Sequence, residues 1–185
     1  MPTYQNSSVA ANKLILGNYK IETSASSGGT YVNLGAGMLT DHGHDFHLYD
    51  VQAGNAPDPI EGIAKESYHI NFEMIEYDGS VLSAIQCGAI SESSTTTLST
   101  INGGGNQVLT QRAFKLTNTR TISGTTCETI VTVYKATMTS GLQFTSKGDT
   151  DTDPINVMSV SLTAEVDASK SAGSQLFQIT RTIVA

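Results

Sequence analysis

A chain of 185 residues fits one domain, here 1–185, and 38% hydrophobic residues with only 6% aromatics, no tryptophan and 17 glycines suit short strands and many turns. The net charge of −7 comes from 17 acidic against 10 basic residues, and the lysines and arginines stand singly. Gripping nucleic acid by its phosphates needs clustered cations and is thereby disfavoured; an acidic surface repels DNA.

Met1 to Ala11 has neither a basic start nor an apolar run, and no later stretch approaches the roughly 20 apolar residues that cross a bilayer. The expectation is a protein made and kept in a cytosol, with no membrane contact. Short strands are predicted at Lys13 to Thr23 and around Tyr31 to Leu34. Gly35 to Pro59 reads as a long connection bearing Gly, Asp and His. From Ser67 to Glu73, Tyr68, Ile70 and Phe72 alternate with polar residues, as in a strand with one buried face, and Met74 extends that face. Ile60 to Lys65 extends the strand backward.

Asp78 as N-cap, Val81, Leu82, Ala84, Ile85 and Cys87 as an apolar face, and Gly88 as a stop predict one short helix, with Gly79 and Ser80 weakening its start. Ser91 to Asn106 is a Ser/Thr run ending in three glycines. Loops beyond about 12–15 residues are uncommon in compact domains, so the 35–59 and 91–106 segments are functional, disordered or drawn partly into hairpins. Gln107 to Leu116 is a further strand, and Thr129 to Met138, nearly continuously apolar, a central one. In Ile155 to Val166 the apolar positions change phase between Val157 and Met158, which predicts a β-bulge. Phe177, Ile179 and Ile183 close the chain at period two. The fold class is all-β with one short helix, a β-sandwich or barrel.

Asp41-His42-Gly43-His44-Asp45-Phe46-His47 packs three imidazoles and two carboxylates into seven positions, and His42, His44 and His47 are candidate metal ligands. With no HExxH, cysteine pair or further partner to orient the imidazoles, a hydrogen-bonding loop that contacts another subunit is the preferred reading. Asp149 to Asp153 opens like a calcium loop, but Pro154 and Val160 stand where glycine and glutamate are required, leaving an acidic turn. Cys87 and Cys127 are too few and too far apart for a disulfide framework or zinc pair; both are read as reduced, Cys87 in the core. No GxSxG elbow or phosphate loop occurs, and Glu61, Glu66, Glu73 and Glu76 suit a solvated or intersubunit edge better than an acid/base pair. No catalytic residue and no cofactor is predicted.

The order of elements, from Lys13-Leu14-Ile15-Leu16-Gly17 through the polar loop, the strand Ile60 to Ile75, the helix and the block Thr129 to Val184 with Val166-Asp167-Ala168-Ser169 and Leu176-Phe177-Gln178-Ile179, resembles the tail tube (major tail) proteins of long-tailed phages. The resemblance implies a non-enzymatic virion protein, assembled in the host cytoplasm, whose hexameric rings stack into a hollow tube. It implies as partners further copies, a tape measure protein and tail tip or terminator proteins, with DNA passing without specific binding. It gives the 35–59 loop the task of reaching the neighbouring ring, through Asp41, His44, Asp45, Phe46, Tyr49 and Asp50. Glu73 and Glu165, acidic residues on exposed strand faces, are the candidates for the lumen. Alternatives of the same composition are a capsid decoration or tail-terminator protein, and a carbohydrate- or ion-binding β-sandwich module; an enzyme comes last.

Overall fold

The structure, a computed structural model, describes residues 19–35, 37–51, 60–74, 79–85, 90–95, 98–105, 108–122, 124–141, 143–147 and 155–184. Their elements run β1 Lys20–Ser24, β2 Val32–Asn33, β3 Gly37–Val51, β4 Ile60–Met74, α1 Gly79–Ile85, β5 Ile90–Ser94, β6 Ser99–Gly103, β7 Arg112–Ile122, β8 Thr125–Met138, β9 Gln143–Lys147, β10 Ile155–Ala164 and β11 Phe177–Val184. The chain is mostly β, antiparallel throughout the described pairings, with one short helix.

Nine strands form one sheet in the order β2-β1-β7-β8-β10-β4-β3, with β11 added to β8 and β9 to β10. Register sets the faces. Ile21 lies opposite Leu116 and Leu116 opposite Val131; Ala136 meets Ala164, and Leu162 meets Ile70. These residues are all buried, so one face of the path from β1 to β4 is apolar at its centre, and Leu82 and Ile85 of α1 join the same core. The two ends of the path approach each other, for Tyr19 rests edge-on against His42 of β3, ring centroids 5.4 Å apart. The sheet therefore curls toward a barrel around its apolar face.

Strand β8 is central because it is paired along both edges: β7 along one, and on the other β11 at Thr126–Val133 and β10 at Ala136–Met138. The loop that returns the chain from β10 to β11 is tied by Asp167, which is buried and accepts bonds from Ser169 N (3.1 Å) and Oγ (2.8 Å) beside Lys135 Nζ at 3.1 Å. Those contacts, the Ser169 hydroxyl foremost, hold its carboxyl below the usual range.

For 35–59 and 91–106 the hairpin alternative is the one that holds, and two further expectations need correction. Gly37–Val51, the larger part of the presumed 35–59 loop, is a fifteen-residue strand, because paired against β4 it satisfies its backbone while its polar side chains fill one face. Within 91–106, β5 and β6 form a two-stranded hairpin joined through Thr95 and Leu98, with Gly104 and Gly105 at positive φ behind it. The strand predicted from Gln107 begins at Arg112 and runs on to Ile122. Pairing of β10 with β9 is unbroken through Val157 and Met158, and pairing with β4 starts at Met158; both residues are buried, on opposite faces, so two-sided cover and not a bulge makes the phase change. Shifts of register occur instead in β3/β4 and β7/β8. The helix is as expected, with Leu82 and Ile85 buried, while its Asp78 cap, Cys87 and Gly88 lie outside the described residues, as do 13–18 of the first strand and the Asp149 to Asp153 turn.

Candidate assembly surface

The β3–β4 hairpin gathers almost every residue that the sequence marks for function. Its strands pair from Gly37 opposite Met74 to Val51 opposite Ile60, whereas β10 accompanies β4 only from Met74 to Tyr68. The hairpin thus has a root inside the sheet and an arm, residues 45–51 with 60–67, that runs on past the end of β10.

At the root the histidines divide between two faces. His42 lies opposite Ile70 on the inner face, and its Nδ1 is 2.6 Å from the Tyr68 hydroxyl. Burial lowers the pKa of His42 and pushes that of Tyr68 up to about 12, so both groups favour their uncharged forms across this hydrogen bond. His44, opposite Tyr68, packs on Phe177 at 5.5 Å and on Phe46 at 6.0 Å, with its Nε2 3.7 Å from Glu66.

The outer face carries a residue that the sequence reading missed. His69 lies across Gly43, its Nδ1 2.6 Å from Asp45 Oδ2 and its Nε2 3.0 Å from Asp41 Oδ2. A neutral imidazole has one N–H and one lone pair, so both contacts are hydrogen bonds only when the ring is protonated and donates twice. The bond to Asp45 foremost raises the His69 pKa accordingly. Gly43 is required: a Cβ there would stand 2.9 Å from His69 Cε1. The signal was present as Asp41-Gly43-Asp45, two acids around a gap at period two, which is a slot for a cross-strand ring once the segment is read as a strand.

The metal candidates are not brought together. His42 and His44 face inward, His47 lies opposite Lys65 on the outer face, and among the described residues no three His, Cys, Asp or Glu side chains are grouped to hold an ion. Tyr49 and Asp50 lie opposite Gly62 and Glu61 in the arm.

The arm's inner face continues the core pattern without a core. Phe46 is opposite Glu66 and, past a register shift, Leu48 is opposite Ile63; Phe46, Leu48 and Ile63 are 54%, 61% and 51% exposed. Beside the arm's base a cleft of about 210 Å³ is lined by His44, Glu66, Val166, Leu176 and Phe177. Large apolar residues grouped in this way mark contact surfaces.

No family model and no curated protein matches this sequence. Three solved structures have a similar arrangement of the chain. One is the anti-feeding prophage cap (AFP tube terminating cap), 12% identical over 97% of this chain and 98% of that one, TM-score 0.49. Another is the anti-feeding prophage baseplate, 7% identical over 91% and 95%, TM-score 0.47. The third is the sheath-tube complex of an extracellular contractile injection system (PVC) in its extended state, 16% identical over 98% and 100%, TM-score 0.45.

Glu73 and Glu165 fall on the outer face. Glu73 lies opposite Ser159 on β4, and Glu165, just past β10, continues by alternation the row Ser159, Ser161, Thr163 and accepts a bond from Gln111 Nε2 at 3.2 Å. The described helix is too short and too polar to cross a membrane.

Proposed function

We propose that this chain is a structural, non-enzymatic subunit of a phage-type tail tube, stacking in hexameric rings around a channel for DNA. The observation that carries this reading is the β3–β4 arm. It is a long hairpin whose root is built into the sheet and whose arm carries an apolar face that a partner outside the chain would cover. A free-standing domain has no use for that face, because exposed apolar surface of this kind favours aggregation unless a partner covers it.

The outer face fits a bore. Where β4 and β10 pair, its rows are Ser159, Ser161 and Thr163 beside Glu73 and Asn71, with His69 held between two carboxylates. Ring symmetry repeats each charge, so Glu73 and Glu165 would form acidic belts that DNA passes without binding. The tape measure protein inside the tube, tip and terminator proteins at its ends, assembly in the host cytoplasm and residence in the virion complete the proposal.

Negative-stain images of the concentrated protein test it. Tubes are expected; single closed rings would instead favour a tail terminator, and dispersed monomers at every concentration would overturn assembly altogether. Glu73→Lys with Glu165→Lys should then give tubes that retain DNA at low salt and release it as salt rises. Tight, salt-sensitive DNA binding by the unaltered tube would defeat the conduit.

A further inference from the structure

Two faces left exposed among the described residues match each other in chemistry. The first is the arm, with Phe46, Leu48 and Ile63 exposed and Glu66 on the same face opposite Phe46. The His44 imidazole beside Glu66 stands at 3.7 Å, beyond hydrogen-bonding distance, so the carboxylate keeps acceptor capacity.

The second is the far half of β11. Phe177 packs on Tyr68 at 4.5 Å, and unbroken pairing with β8 places Ile179, Arg181 and Ile183 on that same inner face. Ile179 and Ile183 are each 54% exposed, and Arg181 is exposed and makes no ion pair among the described residues. Cys127 of β8 lies between Ile183 on one side and Arg120 of β7 on the other. The Nη1 of Arg120 is buried with no hydrogen-bond partner among the described residues. A chain carrying 17 acidic and 10 basic residues thus places two guanidiniums on one apolar face.

We infer that the β11 face receives the arm of a second copy, with Phe46, Leu48 and Ile63 against Ile179 and Ile183, and the Glu66 carboxylate against Arg181. The inference rests on the assembly proposed above and names its contact. Copies with a net negative charge repel one another, so docking acidic on basic surface is where association meets least opposition. The exposed Arg181 guanidinium has no carboxylate partner among the described residues, and a carboxylate from a neighbour supplies a charge-assisted hydrogen bond. In the rings proposed above each copy gives its arm to one neighbour and receives the arm of another. Such a head-to-tail contact propagates as a ring or a filament and does not stop at a dimer.

The test uses two variants of the full chain. Phe46→Asn/Leu48→Asn disables the arm and Ile179→Asn/Ile183→Asn disables the face. All four sites are more than half exposed, so the melting curves of the dilute proteins should match the parent's. In analytical ultracentrifugation each variant alone should stall at one small species. Mixed one to one, the intact arm of one variant meets the intact face of the other, and a species of twice that mass, and no larger, should appear. Charge reversal gives a second readout: Glu66→Arg and Arg181→Glu should each weaken assembly at least tenfold in concentration, and the chain carrying both should recover it. A parent that assembles while the mixture fails to double, or either variant assembling like the parent, overturns the inference. So does a lowered melting point of the dilute face variant, which would show that the chain's own residues 1–18 cover β11. Failure of the tube reading alone looks different: the mixture still doubles, but the parent forms assemblies other than tubes.

Discussion

The root and the arm of the β3–β4 hairpin are built from the same two strands and have opposite fates. At the root Ile70, Phe72 and Met74 are at most 1% exposed, covered by β10 and the core beyond it. In the arm Phe46, Leu48 and Ile63 keep the same inner-face positions and stay about half exposed, because β10 ends opposite Tyr68. Alternation says which face a residue takes. Whether that face is buried depends on a strand encoded elsewhere in the chain.

The sharpest way to break the packed side of this contrast is Leu82→Asp. It buries a carboxylate without a partner in the core that α1 shares with the sheet and should cost several kcal/mol. An unchanged melting curve would remove α1 from the core. Next comes a matched pair of deletions: Phe72→Ala should destabilise the dilute protein by about 3–5 kcal/mol and Phe46→Ala by less than about 0.5 kcal/mol. Denaturant titration of both, below the assembly concentration, measures the difference between root and arm directly, and equal losses would mean that the arm is covered within one copy.

Smaller effects sharpen the boundary between the two regions, where His69 sits. Gly43→Val should displace the imidazole, cost about 1 kcal/mol and return the His69 titration, followed by NMR, toward the ordinary 6.5. The smallest expected effect is on pH. His69 has a raised pKa in the folded chain, so its contribution is fully present below about pH 6.5 and fades as pH rises through the folded value. Groups facing it are Asp41 and Asp45 of β3 and Thr163 of β10, while His42 lies on the other face, where burial disfavours its charged form. Both carboxylates are half exposed or more, so the change should stay under about 1 kcal/mol. His69→Asn should abolish it, and a slope that survived would belong to other groups.

Much of the fold was legible in local pattern. Tyr68, Ile70 and Phe72 at period two, the β-branched Thr129 to Met138 and the Leu82/Ile85 pair each became the element and the buried face expected. Strand β3 was hidden because its inner positions at the root are His42 and His44 in place of aliphatics, so an alternation that exists in the chain does not register as hydrophobic. The polar hairpin of β5 and β6 was hidden for a related reason, since serine and threonine runs show no contrast between faces.

Sequence by itself determined the β character, the single helix and which residues of each strand share a side, because side-chain direction in a strand follows from backbone geometry alone. Only the tertiary structure decided that Asp41 and Asp45 enclose His69, that His42 is neutral beside Tyr68, and that the arm outruns its cover. Those facts depend on register between segments about 25 residues apart and on where a third strand, β10, stops. Strand pairing is sealed by backbone hydrogen bonds that any residue can make, and so it leaves little trace in the identity of the residues it joins.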